Sequence, residues 1–130
     1  MDTDTVADVM RPPLTTVDRD DHVAAAAYLM KHASATALVV LDTLDDRPVG
    51  IITEADITHA VADRKDMDNT RIRDLMTASP TVISSTTTIR DAAKLMTARR
   101  FRHLPVVDDG GLVGMVDIGD VCRALLDTSA

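Results

Sequence analysis

Two short stretches of this chain place oxygen and nitrogen groups where they can do chemistry. In Gly50-Ile-Ile-Thr-Glu-Ala-Asp-Ile57 a hydroxyl, Thr53, is followed three residues on by a carboxylate, Asp56, where an apolar strand gives way to a helix. Thr53 is a natural N-cap. A helix start offers unbonded N–H groups and the positive end of the dipole, a combination that suits a phosphate. Asp56, one turn in, can accept hydrogen bonds from the vicinal hydroxyls of a ribose. Taken alone, Thr-x-x-Asp is equally a plain helix cap. In Phe101-Arg-His-Leu-Pro-Val-Val-Asp108 two basic residues, Arg102 and His103, directly precede an apolar strand. That placement is awkward for packing unless the side chains reach a cleft or an anion. Taken alone, it is also what a solvated charge run looks like.

Other chemistries find little support. His22, His32, His59 and His103 fall in different elements, without the spacing of a metal-binding helix. His22 reads as a solvated residue at a helix start, and His32 and His59 as residues near helix ends. No Ser or Cys stands in a nucleophile motif, and no glycine-rich loop is present. The acidic segments at 18–21, 42–46 and 108–109 read as turns and caps. Neither an enzyme nor a metal site is expected. Cys122 is the only cysteine, so no intramolecular disulfide can form, and the expectation for it is a small buried apolar side chain on a helix.

The elements that must position Thr53, Asp56, Arg102 and His103 occur twice. Val6-Ala-Asp-Val-Met10 recurs as Ile72-Arg-Asp-Leu-Met76, an offset of 72 − 6 = 66 residues. Thr15-Thr-Val17 matches Thr81-Val-Ile83, Val23–Met30 matches Ile89–Met96, and Leu38–Asp42 matches Leu104–Asp108 at the same offset. Gly50–Ile57 then matches Gly114–Val121 at an offset of 64, so the turn of the first copy is two residues longer. Ordered matches over nearly the whole chain mark a duplication, with copies at 1–66 and 67–130.

Each copy predicts the same order of elements. A short amphipathic turn (Thr5–Met10, Thr70–Met76) leads through a proline-bearing break to a short strand, Leu14–Val17 or Thr81–Ile83. A helix follows, with Val23, Ala26, Ala27 and Met30, or Ile89, Ala92, Ala93 and Met96, on one buried face. Asp20 or Asp21 can cap the first of these helices and Thr87 or Thr88 the second. Two strands come next, Ala37–Leu41 with Pro48–Thr53 and Leu104–Val107 with Leu112–Val116, joined as hairpins across Asp42–Arg47 and Asp108–Gly111. Glu54–Asp63 and Ile118–Leu126 close the copies as helices. A lone β-α-β-β-α unit leaves one sheet face bare, and two such units facing each other cover it. The expected fold is therefore α/β, two repeats packed sheet to sheet about a pseudo-twofold axis, with two related clefts.

Bulk properties agree with a small globular protein. At 130 residues, folding buries roughly two-thirds of the surface the unfolded chain exposes. There is no Trp, and Tyr28 and Phe101 are the only Tyr and Phe, so the core must be aliphatic. A net charge of −7 excludes a general nucleic-acid binder, which needs a basic footprint, and suits an anionic membrane surface no better. The polar N-terminus does not read as a secretory signal, and no apolar run approaches a membrane span, so a cytoplasmic protein is expected.

The paired openings, the Arg102-His-Leu-Pro-Val-Val-Asp108 strand and the two Gly-x-x-x-x-x-Asp closings together resemble the cystathionine-β-synthase (CBS) domain family. The likeness runs from about residue 5 to 127 and is that of one tandem pair, a Bateman module. Modules of this family commonly bind AMP, ADP, ATP or another adenosyl compound and regulate a partner, and they usually form homodimers. The resemblance thus implies a regulatory sensor of an adenine nucleotide, with no catalytic cofactor and an effector protein still to be identified. Its alternative is a ligand-free module for structure, protein interaction or dimerisation.

Carried over position by position, the resemblance implies two sites. In the first, Asp56 takes the ribose and Thr53 stands on its phosphate or ribose side. Thr81, Val82 and Ile83 line the adenine pocket, Arg102 and His103 face the phosphates, and Leu104 and Pro105 complete the set. The second would use Asp120 for the ribose, with Thr15, Thr16, Val17 and Ala37. It departs from the family pattern, because Asp117 stands where a Ser or Thr is expected and Thr36 and Ala37 replace the basic pair. The second site is expected to be weak, empty or selective for a less anionic ligand.

Overall fold

The β-branched runs of both copies form strands because their side chains fit a pleated, buried surface. The computed structural model describes residues 4–12, 16–42 and 47–128. Its elements are a 3-10 turn at Val6–Asp8, β1 (Thr16–Asp18), α1 (Val23–Ala33), β2 (Ala37–Leu41), β3 (Pro48–Thr53) and α2 (Glu54–Ala62). They continue with α3 (Ile72–Leu75), β4 (Thr77–Ala78), α4 (Ile89–Arg99), β5 (His103–Asp108), β6 (Gly111–Asp117) and α5 (Ile118–Thr128). This is the β-α-β-β-α order expected of each copy, on an α/β chain, with the opening strand of the second copy reduced to the single pairing of Ile83 with Val106. No helix among the described residues is long and apolar enough to cross a membrane.

Two compact units form, Leu14–Pro80 and Met1–Pro13 with Thr81–Ala130. They cut the chain differently from the repeats, because each unit takes the opening segment of the other copy. In the first unit β1 runs parallel to β2, β2 antiparallel to β3, and β3 antiparallel to β4. Strand β4 comes from the opening of the second repeat. In the other unit β5 and β6 form a hairpin. It is flanked by a parallel pairing of Ile83 with Val106 and an antiparallel pairing of Arg11 with Met115.

The correspondence is residue for residue. Val6 donates its N–H to Thr87 O at 2.8 Å, and Ile72 donates to Asp21 O at 2.8 Å. Ala7 donates to Ser85 O at 3.0 Å, and Arg73 to Arg19 O at 2.9 Å. Adding 66 to the residues of one pair yields the other (6 → 72, 21 → 87; 7 → 73, 19 → 85). The apolar residue at the head of each exchanged segment, Val6 or Ile72, is fully buried in its adopted core. Val6 packs with Ile89, Met96, Leu104, Val106 and Val116, and Ile72 with Val17, Met30, Leu38, Val40 and Ile52.

Several expectations need adjusting. The helix faces are as predicted, with Val23, Ala26 and Met30 and then Ile89, Ala92 and Met96 buried, while Ala27 and Ala93 are half-buried. Thr88 caps α4, accepting the Asp91 N–H at 3.1 Å. The cap position of α1 falls instead on His22, whose side chain makes no capping bond. Asp21 accepts the Asp18 N–H at 3.3 Å, and Asp20 pairs with Arg73, so neither acid reaches the helix. Thr81–Ile83 makes no full strand: Ile83 alone pairs, and a turn in which Thr87 N–H bonds Ser84 O follows at once. Cys122 is exposed rather than buried, because Val121 takes the inward position on α5. Thr15 and the tip of the first hairpin lie outside the described residues.

Candidate functional site

The junction from β3 to α2 is built by Thr53, which ends the strand and caps the helix. Its extended backbone (φ −119°, ψ 166°) turns its hydroxyl toward the first helical turn, where Oγ1 accepts the Asp56 N–H at 3.3 Å. Asp56 answers by accepting the Thr53 N–H on Oδ2 at 2.9 Å. This reciprocal box holds the Asp56 carboxylate at the helix start. A carboxylate has about four acceptor positions, so one such bond leaves capacity for hydroxyl donors. The helix start offers less to a phosphate than the sequence suggested, since the Glu54 N–H is taken by Thr36 O at 3.0 Å and the Asp56 N–H by Thr53. Ala37 pairs in register with Thr53, and Thr16 and Val17 pair with Val39 and Val40.

The equivalent junction from β6 to α5 belongs to the other unit and differs in charge. Asp117 replaces the hydroxyl, and its Oδ1 accepts the Asp120 N–H at 2.8 Å, while Asp120 Oδ2 accepts the Asp117 N–H at 3.2 Å. Two arginines close on Asp120 as well. Arg11 donates from Nη2 to Oδ1 at 3.1 Å and from Nε to both carboxylate oxygens at 3.3 Å. Arg123, one turn along α5, donates from Nη2 to Oδ1 at 2.7 Å. Asp120 is only 7% exposed. Burial pushes its carboxyl up, but the bonds from Arg11 and from the Asp117 N–H outweigh that and hold it below the ordinary carboxylate range. The same bond raises the Arg11 guanidinium.

In that unit one residue predicted for the base, Ile83, pairs with β5, the strand that His103 opens. Ile83 N–H donates to Pro105 O at 3.1 Å and Val107 N–H to Ile83 O at 2.8 Å, so Ile83 stands opposite Val106 of β5. Val82 remains exposed. Ser85 binds the end of β5, donating N–H and O–H to Asp108 at 3.0 and 2.5 Å. Arg102 is exposed, and its carbonyl accepts the Ile118 N–H at 2.9 Å, which ties it to the start of α5. His103 is half-buried and pairs in register with Asp117. Thr53 and Asp56 belong to the unit 14–80, whereas Thr81–Ile83 and Arg102–Pro105 belong to the other.

Sequence reasoning missed Arg11 and Arg123. Arg123 was legible, since an acid and a base three apart on a helix face each other. Arg11 carried no signal beyond its place before Pro12, because its partner lies 109 residues away. Among the described residues no group of three or more His, Cys, Asp or Glu side chains is arranged to hold a metal ion.

The sequence profile of the CBS domain matches the chain twice, over residues 6–63 and 72–127. An Arabidopsis thaliana protein, the mitochondrial CBS domain-containing protein CBSX3, is 35% identical over 133 residues, covering 94% of this chain and 65% of its own length. The chain thus spans somewhat less than two-thirds of that curated relative. A Burkholderia ambifaria protein with CBS domains superposes with a TM-score of 0.86 at 32% identity, covering 97% of this chain and 96% of that one. CBSX2 of Arabidopsis thaliana, crystallised with AMP, superposes with a TM-score of 0.80 at 33% identity, covering 98% of this chain and 99% of that one. With the doubled profile and the β-α-β-β-α order of both copies, the chain belongs to the CBS domain family as a tandem pair.

Proposed function

We propose that this CBS pair is a regulatory module that binds an adenine nucleotide and passes the signal to a partner protein without catalysing a reaction. Asp56 grips the ribose, Thr53 supports it, Thr81–Ile83 with Leu104 and Pro105 flank the base, and Arg102 and His103 meet the phosphate. The observation that carries this reading is the AMP complex of CBSX2, a relative matched over nearly the full length of both chains. The Asp56 carboxylate supports it, since among the described residues it accepts the Thr53 N–H and no ion pair, and it keeps acceptor capacity for a diol.

A thermal-shift series with AMP, ADP, ATP and S-adenosylmethionine tests the proposal. A ligand at about 100 times its Kd adds roughly 2.7 kcal/mol to the native state and raises the melting temperature accordingly. Asp56→Ala and Arg102→Ala should each remove the rise. No shift with any of the four compounds would sink the proposal and leave the ligand-free interaction module in its place. Exposed Tyr28, Val61 and Leu126 supply apolar surface for self-association, and the proposal includes a homodimer. A solution mass equal to one chain would remove that part alone.

A further inference from the structure

The two closing motifs invite a comparison the sequence could not make. Asp56 and Asp120 hold equivalent places, each in a reciprocal box with the residue three before it. Their surroundings diverge. The position equivalent to Arg11 is Thr77 (11 + 66), and the position equivalent to Arg123 is His59 (123 − 64). Among the described residues no ion pair reaches Asp56, whereas Asp120 accepts four bonds from two guanidiniums in addition to the Asp117 N–H.

The cations on Asp120 are held in place by backbone. Arg11 exchanges both main-chain bonds with Met115, donating at 2.8 Å and accepting at 2.9 Å, two residues before β6 meets α5. Its side chain therefore starts beside the carboxylate it binds. Arg123 folds back over Gly119, where an added Cβ would lie 3.2 Å from Asp117 Oδ1 and 3.6 Å from Arg123 Nη1. The equivalent residue of the first repeat is Ala55 (119 − 64), which carries that methyl. Charge-assisted hydrogen bonds to a carboxylate that is itself nearly buried are stronger than those a neutral donor makes. A ribose diol, a neutral donor, would have to displace them.

We propose that Arg11 and Arg123 form a built-in lock on Asp120 that denies this carboxylate to a sugar, so that each chain takes up one nucleotide rather than two. The count rests on the nucleotide-binding reading above; the lock itself does not. It also adds a cause beyond the Asp117 substitution for the weakness expected of the second site.

Two measurements on the full chain separate these levels. Carbon-detected NMR titration of the Asp120 carboxyl should show it ionising below the ordinary carboxylate value of about 3.9 in the parent protein, and higher in Arg11→Ala and in Arg123→Ala. Both arginines are 64% exposed, so the variants should fold, which a melting curve checks. A titration unmoved in both variants overturns the lock. Equilibrium dialysis with labelled AMP should then count one AMP per chain in the parent and two in Arg11→Ala/Arg123→Ala. Two in the parent, or one in the double variant, overturns the exclusion. None in either protein defeats the nucleotide reading and the count with it, while the titration still decides the lock.

Discussion

Met76 lies over Gly50 so closely that a Cβ on residue 50 would stand 2.4 Å from its Sδ and 3.0 Å from the Thr77 carbonyl. The second repeat reproduces the arrangement, with Met10 Sδ at 2.7 Å and the Arg11 carbonyl at 3.0 Å from a Cβ on Gly114. The thioether can swing away, but the carbonyls cannot. Thr77 pairs with Ile51 and Arg11 with Met115, so retreat would break the pairing that docks each exchanged segment. Gly50→Ala and Gly114→Ala should therefore each cost about 1–3 kcal/mol as overpacking, read from the midpoint of urea unfolding. A loss below a few tenths of a kcal/mol at both positions would mean that the segments dock more loosely than described.

Ile72 is the apolar anchor of the other exchanged segment and is completely buried. Truncating it to alanine removes three carbons from a packed core and leaves a cavity. Ile72→Ala should destabilise the protein by about 2–5 kcal/mol. The exposed neighbour Arg73, paired with Asp20 at the surface, serves as the contrast. Surface ion pairs contribute roughly 0–1 kcal/mol, so Arg73→Ala should fall within that range on the same unfolding curves.

Acid should weaken the fold through Asp108. The Ser85 hydroxyl, and then the Ser85 N–H, hold its carboxyl below the ordinary carboxylate range. The native state thus favours the ionised form more than the unfolded chain does. The stability this contributes is complete above the unfolded value of about 3.9 and drains away as pH falls through the lower native value. Ser85→Ala removes the hydroxyl donor and should lower stability at pH 7 while flattening the acid limb. Urea midpoints of the two proteins should converge as pH falls below the native value of Asp108. Equal acid limbs would show that the Ser85 hydroxyl does not set the Asp108 titration.

Much of this could be read from the chain itself because the signals were local. Strands β2 and β3 begin and end where the aliphatic runs meet polar residues, and the helix faces follow the spacing of Val23 and Ile89 with their partners. The second hairpin was legible from Asp109-Gly110, whose positive φ values of 52° and 80° are those of a tight primed turn. What escaped notice depends on distant pairing. Thr77 and Ala78 are exposed and show no strand pattern, and they become β4 only because the edge of β3 is free to bind them. The cap of α1 went to His22 because the neighbouring acids found partners elsewhere. Thr53 and Asp56 were legible as a capping pair, whereas the contrast between Asp56 and Asp120 was not. Arg11 reaches its acid only after the chain has folded back on itself.

The exchange of opening segments also orders events as the protein is made. Leu14–Pro80 is one unbroken run, so that unit has all its parts soon after residue 80 leaves the ribosome. The other unit draws on both ends, with Val6 waiting for Thr87 and Arg11 for Met115 and Asp120. Long-range closure of this kind is slow and leaves apolar side chains such as Val6 uncovered meanwhile. The opening segment of the first repeat is thus among the last parts to settle, and the nascent chain must keep it from wrong partners until the second repeat arrives.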